Sequence, residues 1–304
     1  MKRIVSVQLP RGDIAFAAPF HISMEGMEAR VLCRDEKDYD AVVKIICVCA
    51  RRANVLVVIY VVVSNHCHIA ILAASKKDAD RFAREIKRMA GMWFSKRYGD
   101  NGIMRGVDVK AILLSDNFHV RNALAYIPRN ALDNGCPVAD YEWSGFRAMF
   151  SQDDLSESRL LSSMKYRERR AVMHTDDDLS DVPWRIDADG RLIPSSFCAS
   201  WYLEQAFEKD PAFFLKTIGS QDSAQMHYIF VEKPRSMMTD NDLLATVGEV
   251  SDRWYHQGVA GLPLEKKIRL LMYIRHTTKT SVPQLARVFG LKREMVATII
   301  SKPR

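Results

Sequence analysis

Two histidines, His66 and His68, flank a single cysteine directly after the apolar run of residues 55–63. Strand side chains alternate between the two faces of a sheet, so the spacing predicts both imidazoles on one face and Cys67 on the other. Paired imidazoles on one face suit a divalent metal ion. The same pattern also fits two polar residues on a strand surface, so a metal site requires a third ligand and a reacting group.

Both are found about sixty positions downstream, in residues 121–135, which the sequence predicts to form a short helix closed by Gly135. Tyr126 and Asn130 are four residues apart and therefore share one face of that helix. The helix would present a phenol nucleophile and an amide oxygen ligand to the two strand histidines. Pro128 predicts a kink in the helix, because proline removes a backbone hydrogen bond.

This constellation resembles the HUH single-tyrosine nucleases and, more narrowly, the REP-associated tyrosine transposases. The resemblance extends over most of the first 150 residues. It rests on blocks in the family's order: Phe20-His21-Ile22-Ser23 with Gly26, Arg34-Asp35, residues 60–68, Tyr126-Ile127 with Asn130 and Gly135, and Tyr141-Glu142-Trp143-Ser144. The chain departs from the family at Ala131, where a proline is usual, and in residues 102–109, which lack an Arg-Phe pair. We interpret it as resembling a divergent member that keeps the chemistry.

The predicted chemistry is phosphoryl transfer to a tyrosine. A free tyrosine has a pKa of about 10, so its phenol is a poor nucleophile at neutral pH unless the phosphate is made electrophilic. A divalent ion on His66, His68 and Asn130 would do this, and imidazole with carboxamide oxygen suits Mg²⁺ or Mn²⁺. Attack by Tyr126 would leave a 5′-phosphotyrosine link and a 3′-hydroxyl, and a second 3′-hydroxyl would reverse the step without a nucleotide cofactor. The resemblance implies single-stranded DNA beside a hairpin as the substrate.

Composition favours a polyanionic partner and a cytoplasmic protein. The chain has 304 residues, a length that permits two domains, and a net charge of +7, which favours nucleic acid as a partner. A charge of this size also fits a protein in which the excess of Lys and Arg only maintains solubility. Six cysteines without a Cys-x-x-Cys spacing indicate neither a structural zinc site nor a disulfide framework. We find no signal-peptide core and no run near the roughly 20 apolar residues that cross a bilayer, so no membrane partner is expected.

The order of predicted elements gives an α+β fold with a ferredoxin-like antiparallel sheet and helices, followed by a mostly helical C-terminal region. Hydrophobic periodicity predicts a strand, a helix, a hairpin, a second helix and a further strand before the tyrosine helix. The predicted ranges are 15–23, 36–52, 55–63 with 66–73, 77–98 and 107–114. We divide the chain into a nuclease domain at 1–150, a mixed extension or linker at 151–245, and a helical domain at 246–304.

Two further regions are predicted to bind DNA. The helix at 77–98 is amphipathic with a basic outer side, which could follow a phosphate backbone or simply face solvent. Its predicted DNA-binding residues are Arg84, Lys87, Arg88 and Arg97. Residues 281–300 have the spacing of a helix-turn-helix, with Lys292 and Arg293 on its outer face toward duplex DNA. The alternative for this region is a helical hairpin that packs only on its own chain.

Two other functions stay open at the level of sequence. The first is a non-catalytic DNA-binding regulator derived from such a transposase, which would bind duplex DNA without a metal. The second is a replication-initiator or relaxase-like nickase, which shares the histidine and tyrosine pattern; a helicase partner would then be needed, since the chain carries no Gly-x-x-x-x-Gly-Lys loop. The sequence does not distinguish a monomer from a homodimer.

Overall fold

The computed structural model describes residues 3–25, 31–133, 135–150, 155–220, 240–278 and 280–301. Over these ranges the chain is α+β, as predicted, with an antiparallel sheet covered by helices. A search of the same ranges for a helix with the length and apolar character of a membrane span finds none.

The main sheet has five strands. These are β1 (Val5–Gln8), β2 (Ile14–Glu25), β3 (Leu56–Val62), β4 (Cys67–Ala73) and β5 (Asp108–Leu113). Strand β2 pairs antiparallel with both β4 and β5, and β3 pairs antiparallel with β4, so four strands lie in the order β5-β2-β4-β3. Strand β1 pairs with the first residues of β2. It was not predicted, because four residues carry too little periodicity to recognise.

The described helices fall into two sequence groups. The first group is α1 (Glu36–Ala53), α2 (Lys76–Tyr98), α3 (Asn117–Asp133), α4 (Tyr166–Met173), α5 (Ser200–Ala206) and α6 (Pro211–Ser220). The C-terminal group is α7 (Asp240–Tyr255), α8 (Leu264–Thr277), α9 (Val282–Phe289) and α10 (Arg293–Ser301). Short 3-10 turns connect several of these elements.

Helices cover both faces of the sheet, which explains why β3 and β4 are apolar almost throughout. Alternate residues of β4, such as Ile69 and Ile71, pack with α1 and α2. The intervening residues Ala70 and Leu72 pack with α3, α5 and α6. A strand that is buried on both faces reads as a continuous apolar run. A polar side chain within such a strand is therefore enclosed between the sheet and one helical layer.

Helix α3 begins four residues earlier than predicted, because Asp116 accepts a hydrogen bond from the His119 backbone N–H at 2.8 Å and caps the first turn. Pro128 lies inside the helix, which continues past it. The end matches the prediction: Gly135 has φ 76°, and its N–H donates to the Leu132 carbonyl at 3.0 Å. The helix therefore carries Tyr126 and Asn130 as predicted.

Residues 155–220 share hydrophobic cores with the sheet and its helices. Leu161, Met164 and Trp184 pack with Cys47 and Val48 of α1, and α5 and α6 pack with α3. The division of the chain at residues 150 and 245 stays a prediction, but the described parts of the first two segments are joined by common cores.

Helices α7 to α10 form a separate hydrophobic cluster that includes Leu270, Leu285, Phe289 and Val296. Helix α9 begins with a capping box, in which the Ser281 side chain accepts the Gln284 N–H and the Gln284 side chain accepts the Ser281 N–H. It ends at Gly290, whose φ of 63° allows the sharp turn into α10. Together, α9 and α10 are the two helices predicted from residues 281–300.

Candidate active site

The two motif histidines lie on the sheet face that is covered by α3. Cys67 is 1% exposed and packs in the opposite core, with α1 and α2. His68 has the same strand parity as Ala70, which packs against α3. The ring centroids of His66 and His68 are 4.8 Å apart, at an interplanar angle of 80°. The strand alternation has therefore placed the imidazoles together, as their spacing predicts.

Tyr126 faces this pair from α3. Its ring centroid is 5.2 Å from that of His68, at 67°. The neighbouring residues Ala125 and Ile127 are fully buried against the sheet, whereas Tyr126 is 36% exposed. The phenol is thus next to the imidazoles and also open to solvent, which a nucleophile needs to reach a large substrate.

Asn130 is 3% exposed and is bound to its own helix. Its side-chain Nδ2 donates to the carbonyls of Tyr126, at 2.9 Å, and Ile127, at 3.2 Å. Side chains often bond to helix carbonyls where the backbone hydrogen bonds of the helix are interrupted. Pro128, which has no N–H to donate, lies between Asn130 and these two carbonyls in the sequence. The amide is therefore fixed relative to Tyr126, and its oxygen is the atom that a cation would use.

A third histidine, His21, completes the cluster. It lies on β2, and its Nε2 is 3.2 Å from His68 Nδ1. Its ring centroid is 5.1 Å from that of His68 and 6.3 Å from that of Tyr126. The sequence predicts a strand at His21 but does not indicate that this residue belongs to the site. The missing information was the register, which pairs His21 with Ala70 and so sets it on the same face as His68.

The buried imidazoles are neutral at neutral pH. Burial, with a smaller contribution from the charge of His119, lowers the pKa of His21 to about 4. Burial also lowers the pKa of His68 well below its ordinary value, and the charges of His66 and His21 act in the same direction. A neutral imidazole has one nitrogen with a lone pair, which can bind a metal or accept a proton.

Hydrogen bonds orient the two motif rings. The Oδ1 of Asn65 lies 2.8 Å from His66 Nδ1, and an amide oxygen accepts, so Nδ1 is the donor in this contact. The Nδ1 of His68 is engaged with His21 in the same way, with either ring as the donor. Partners that hold the orientation of a ring in this way are typical of metal-binding histidines.

The residues fit a divalent ion that takes part of its coordination from outside the protein. Two imidazoles and one amide oxygen offer suitable donors, without a carboxylate. Within the described ranges, no group of three or more His, Cys, Asp or Glu side chains is arranged to hold an ion. An ion on His66, His68 and Asn130 would therefore complete its shell with phosphate oxygens or water, as Mg²⁺ usually does.

The predicted DNA-binding residues of α2 lie away from this cluster, because α2 covers the other face of the sheet. Arg97 pairs with Asp35 and with the buried Asp38. The other three predicted residues of α2 differ in their contacts. Lys87 Nζ donates to the Val107 carbonyl at 2.6 Å, Arg88 pairs with Glu85 at 2.8 Å, and Arg84 is exposed. A role of these side chains in DNA binding stays a prediction.

Lys292 and Arg293 are exposed at the start of α10. They lie in the separate C-terminal cluster, so the structure does not bring them to the histidines and Tyr126. Val296 is fully buried, and Ile299 and Ile300 pack partly against the same cluster, which is the inward face that the sequence predicts. The geometry leaves the first turn of α10 accessible to a partner.

No protein-family model matches the chain, and no curated protein matches it in sequence. Among solved structures, it is similar to one described as the REP-associated tyrosine transposase bound to a REP hairpin. The identity is 19%, the match covers 42% of this chain and 75% of that one, and the TM-score is 0.33. This likeness is too distant to assign roles to residues, which therefore rest on the geometry of the site.

Proposed function

We propose that the protein is a metal-dependent DNA strand transferase that cleaves and rejoins single-stranded DNA near hairpins through a 5′-phosphotyrosine intermediate. The observation that carries this proposal is the position of Tyr126, an exposed phenol whose ring lies 5.2 Å from a buried, neutral imidazole of a three-histidine cluster. The strand order β5-β2-β4-β3, with α1 and α2 on one face, is ferredoxin-like and presents the cluster toward α3.

His66, His68 and Asn130 are the residues that would hold a divalent ion. When bound, Mg²⁺ or Mn²⁺ would supply Lewis-acid stabilisation of the charge on the non-bridging phosphate oxygens. The contacts of His66 with Asn65 and of His68 with His21 keep both rings oriented before substrate arrives. Such preorganisation reduces the rearrangement that the reaction requires.

Tyr126 forms the new covalent bond in the proposed reaction. Its phenolic oxygen attacks the scissile phosphorus, the bond from phosphorus to the 3′-oxygen breaks, and the phenol proton is balanced by the proton that the departing 3′-oxygen gains. The phosphodiester energy is kept in the tyrosine link. A 3′-hydroxyl of another strand can therefore attack the same phosphorus and release Tyr126, so strand joining needs no nucleotide cofactor.

A second candidate function is a non-catalytic regulator that binds duplex DNA. The observation that favours it is the pair α9 and α10, joined at Gly290, with Lys292 and Arg293 exposed at the start of the second helix. This surface is independent of Tyr126. The regulator predicts duplex binding that survives Tyr126→Phe and requires no metal.

The deciding experiment is incubation of the purified protein with a library of labelled single-stranded hairpins and Mn²⁺, followed by a denaturing gel. We expect a protein-DNA adduct in the wild type that is absent in Tyr126→Phe, in His66→Ala and without metal. The matched control is Tyr166→Phe, since Tyr166 is 46% exposed on α4 and lies outside the cluster. Hairpin binding without any adduct would contradict the enzymatic function and favour the regulator.

A further inference from the structure

The turn formed by Ser64 and Asn65, directly before the motif histidines, is buried and held from several sides. Ser64 is fully buried and Asn65 is 2% exposed, although both connect two strands. The Ser64 carbonyl accepts the N–H groups of Leu32, at 2.7 Å, and Cys33, at 2.9 Å. Turns between strands usually face solvent, so a buried polar turn requires partners for its polar groups.

One of these partners comes from the C-terminal helices. The Ser64 hydroxyl donates to Oδ2 of Asp240 at 2.5 Å, in a contact between residues 176 positions apart. Asp240 is the first residue of α7 and is 1% exposed. The turn formed by Ser64 and Asn65 is thus hydrogen-bonded directly to α7, a helix of the C-terminal hydrophobic cluster.

Asp240 is itself held by α9. Arg287 donates from Nε to Oδ2 of Asp240 at 2.6 Å and from Nη2 to Oδ1 at 3.1 Å, and Arg287 is 8% exposed. A two-point contact between guanidinium and carboxylate fixes the orientation of both groups. A shift of α9 would therefore move the carboxylate and its hydrogen bond to Ser64, because Oδ2 of Asp240 accepts from both Arg287 and Ser64.

We propose that Asp240 is a positioning residue for the candidate active site. Arg287 orients the carboxylate of Asp240, and this carboxylate accepts the hydroxyl of Ser64. The position of Ser64 then sets the positions of Asn65 and His66, which are the next two residues of the chain. The catalytic consequence rests on the proposed function. In this arrangement, Asp240 and Arg287 are the two residues of the C-terminal helices that help to align the imidazoles.

A role confined to the internal stability of the C-terminal cluster would require only the pair of Asp240 and Arg287. Ser64→Ala separates the two roles, because it removes the contact with the turn and leaves that pair in place. The matched control is Ser251→Ala. Ser251 is also a fully buried serine, lies on α7, and donates its hydroxyl to the Gln257 carbonyl at 2.6 Å within the same cluster.

The test combines two measurements on the full chain. Nuclear magnetic resonance of ¹⁵N-labelled histidine side chains reports the ring environments of His66 and His68 without requiring activity. The rate of adduct formation with hairpin DNA and Mn²⁺ reports catalysis. We expect Ser64→Ala to shift both sets of ring signals and to slow the adduct by about tenfold or more, since small misplacements of reacting groups are costly. Ser251→Ala should change neither, and Ser64→Thr, which keeps the hydroxyl, should restore both.

Ring signals and rates that are the same in Ser64→Ala and in the wild type would overturn the proposal. If the wild type forms no adduct, the proposed function fails, but the ring signals still decide the positioning role. If Ser64→Ala does not fold, Arg287→Lys gives a second test, because lysine keeps the charge and loses the two-point contact. We expect shifted signals of His66 and His68 in that variant, and unchanged signals would overturn the proposal.

Discussion

On the α3 face of the main sheet, His21, His68 and Tyr126 come from three different elements and converge on one another. On the α2 face, the polar side chains near Asp38 serve the fold. The buried Asp38 carboxylate accepts hydrogen bonds from Trp93, at 2.9 Å, from Arg97, at 2.8 Å, and from Tyr98, at 2.5 Å.

The two faces differ in how their polar groups are satisfied. Around Asp38, opposite charges and donors match, so the network needs no partner from outside. In the histidine cluster, burial lowers the pKa values of His21 and His68, and the Tyr126 phenol beside them is exposed to solvent, so no opposite charges are paired between these three groups. The number of basic residues on a helix is therefore a weaker indicator of a functional face than convergence of groups that can do chemistry.

The largest expected effect is on the α2 face. Asp38→Ala should lower the free energy of unfolding by about 3 to 5 kcal/mol, because it leaves a guanidinium and three further donors, among them the Arg34 N–H, without their buried acceptor. Urea unfolding measures the change. Asp35→Ala is the control, since the Asp35 side chain is 50% exposed and pairs with the same Arg97. Equal losses in the two variants would contradict the contrast between a buried network and a surface pair.

A second prediction concerns the proposed metal-binding residues on the α3 face. His68→Ala, or removal of divalent ions with a chelator, should reduce adduct formation by about a hundredfold or more, since the Lewis-acid contribution amounts to several kcal/mol. The rate of adduct formation on a hairpin measures this effect. Full activity of His68→Ala in the presence of chelator would show that the imidazoles have no part in catalysis.

His21→Phe tests whether the residue that the sequence analysis missed belongs to the site. Phenylalanine fills the space but cannot bond to His68 Nδ1, so we expect adduct formation to fall by about tenfold, the lower range for loss of a partner that orients a metal-binding histidine. His276→Phe, on α8, is the control, because that histidine is exposed. An unchanged rate in His21→Phe would restrict the functional cluster to His66, His68 and Tyr126.

The smallest expected effects concern the exposed basic residues. Arg84→Ala should reduce the salt dependence of hairpin binding by about one phosphate contact, and Lys292→Ala should do the same for duplex binding. Neither should change the free energy of unfolding by more than about 0.5 kcal/mol. Affinities measured over a series of salt concentrations provide the slopes, and slopes identical to the wild type would remove these residues from the DNA-binding surfaces.

Local patterns predict a large part of this fold. The apolar runs within residues 55–73 and the helical periodicity of α1 and α2 indicate elements within one or two residues of their observed bounds. The spacing also predicts that His66 and His68 share one face of the sheet, and that Tyr126 and Asn130 share one face of α3. These features depend on short-range sequence, because strand parity and helix face are fixed by the chain within a few residues.

Long-range contacts were not predictable in the same way. His21 joins the cluster through the register of β2 with β4, which no local pattern specifies. The contact of Ser64 with Asp240 spans 176 positions. Arg97 has the same sequence character as Arg84, and only the fold shows that it pairs with a buried carboxylate. Such differences arise from tertiary packing, which the basic pattern of a helix does not contain.

Mass spectrometry of the peptide that carries DNA after reaction with hairpin DNA and Mn²⁺ identifies the nucleophile directly. We expect a nucleotide attached through phosphate to the peptide containing Tyr126, and to no other tyrosine peptide. A folded protein that binds the same hairpins but carries no nucleotide, or carries it on another residue, would contradict Tyr126 as the nucleophile.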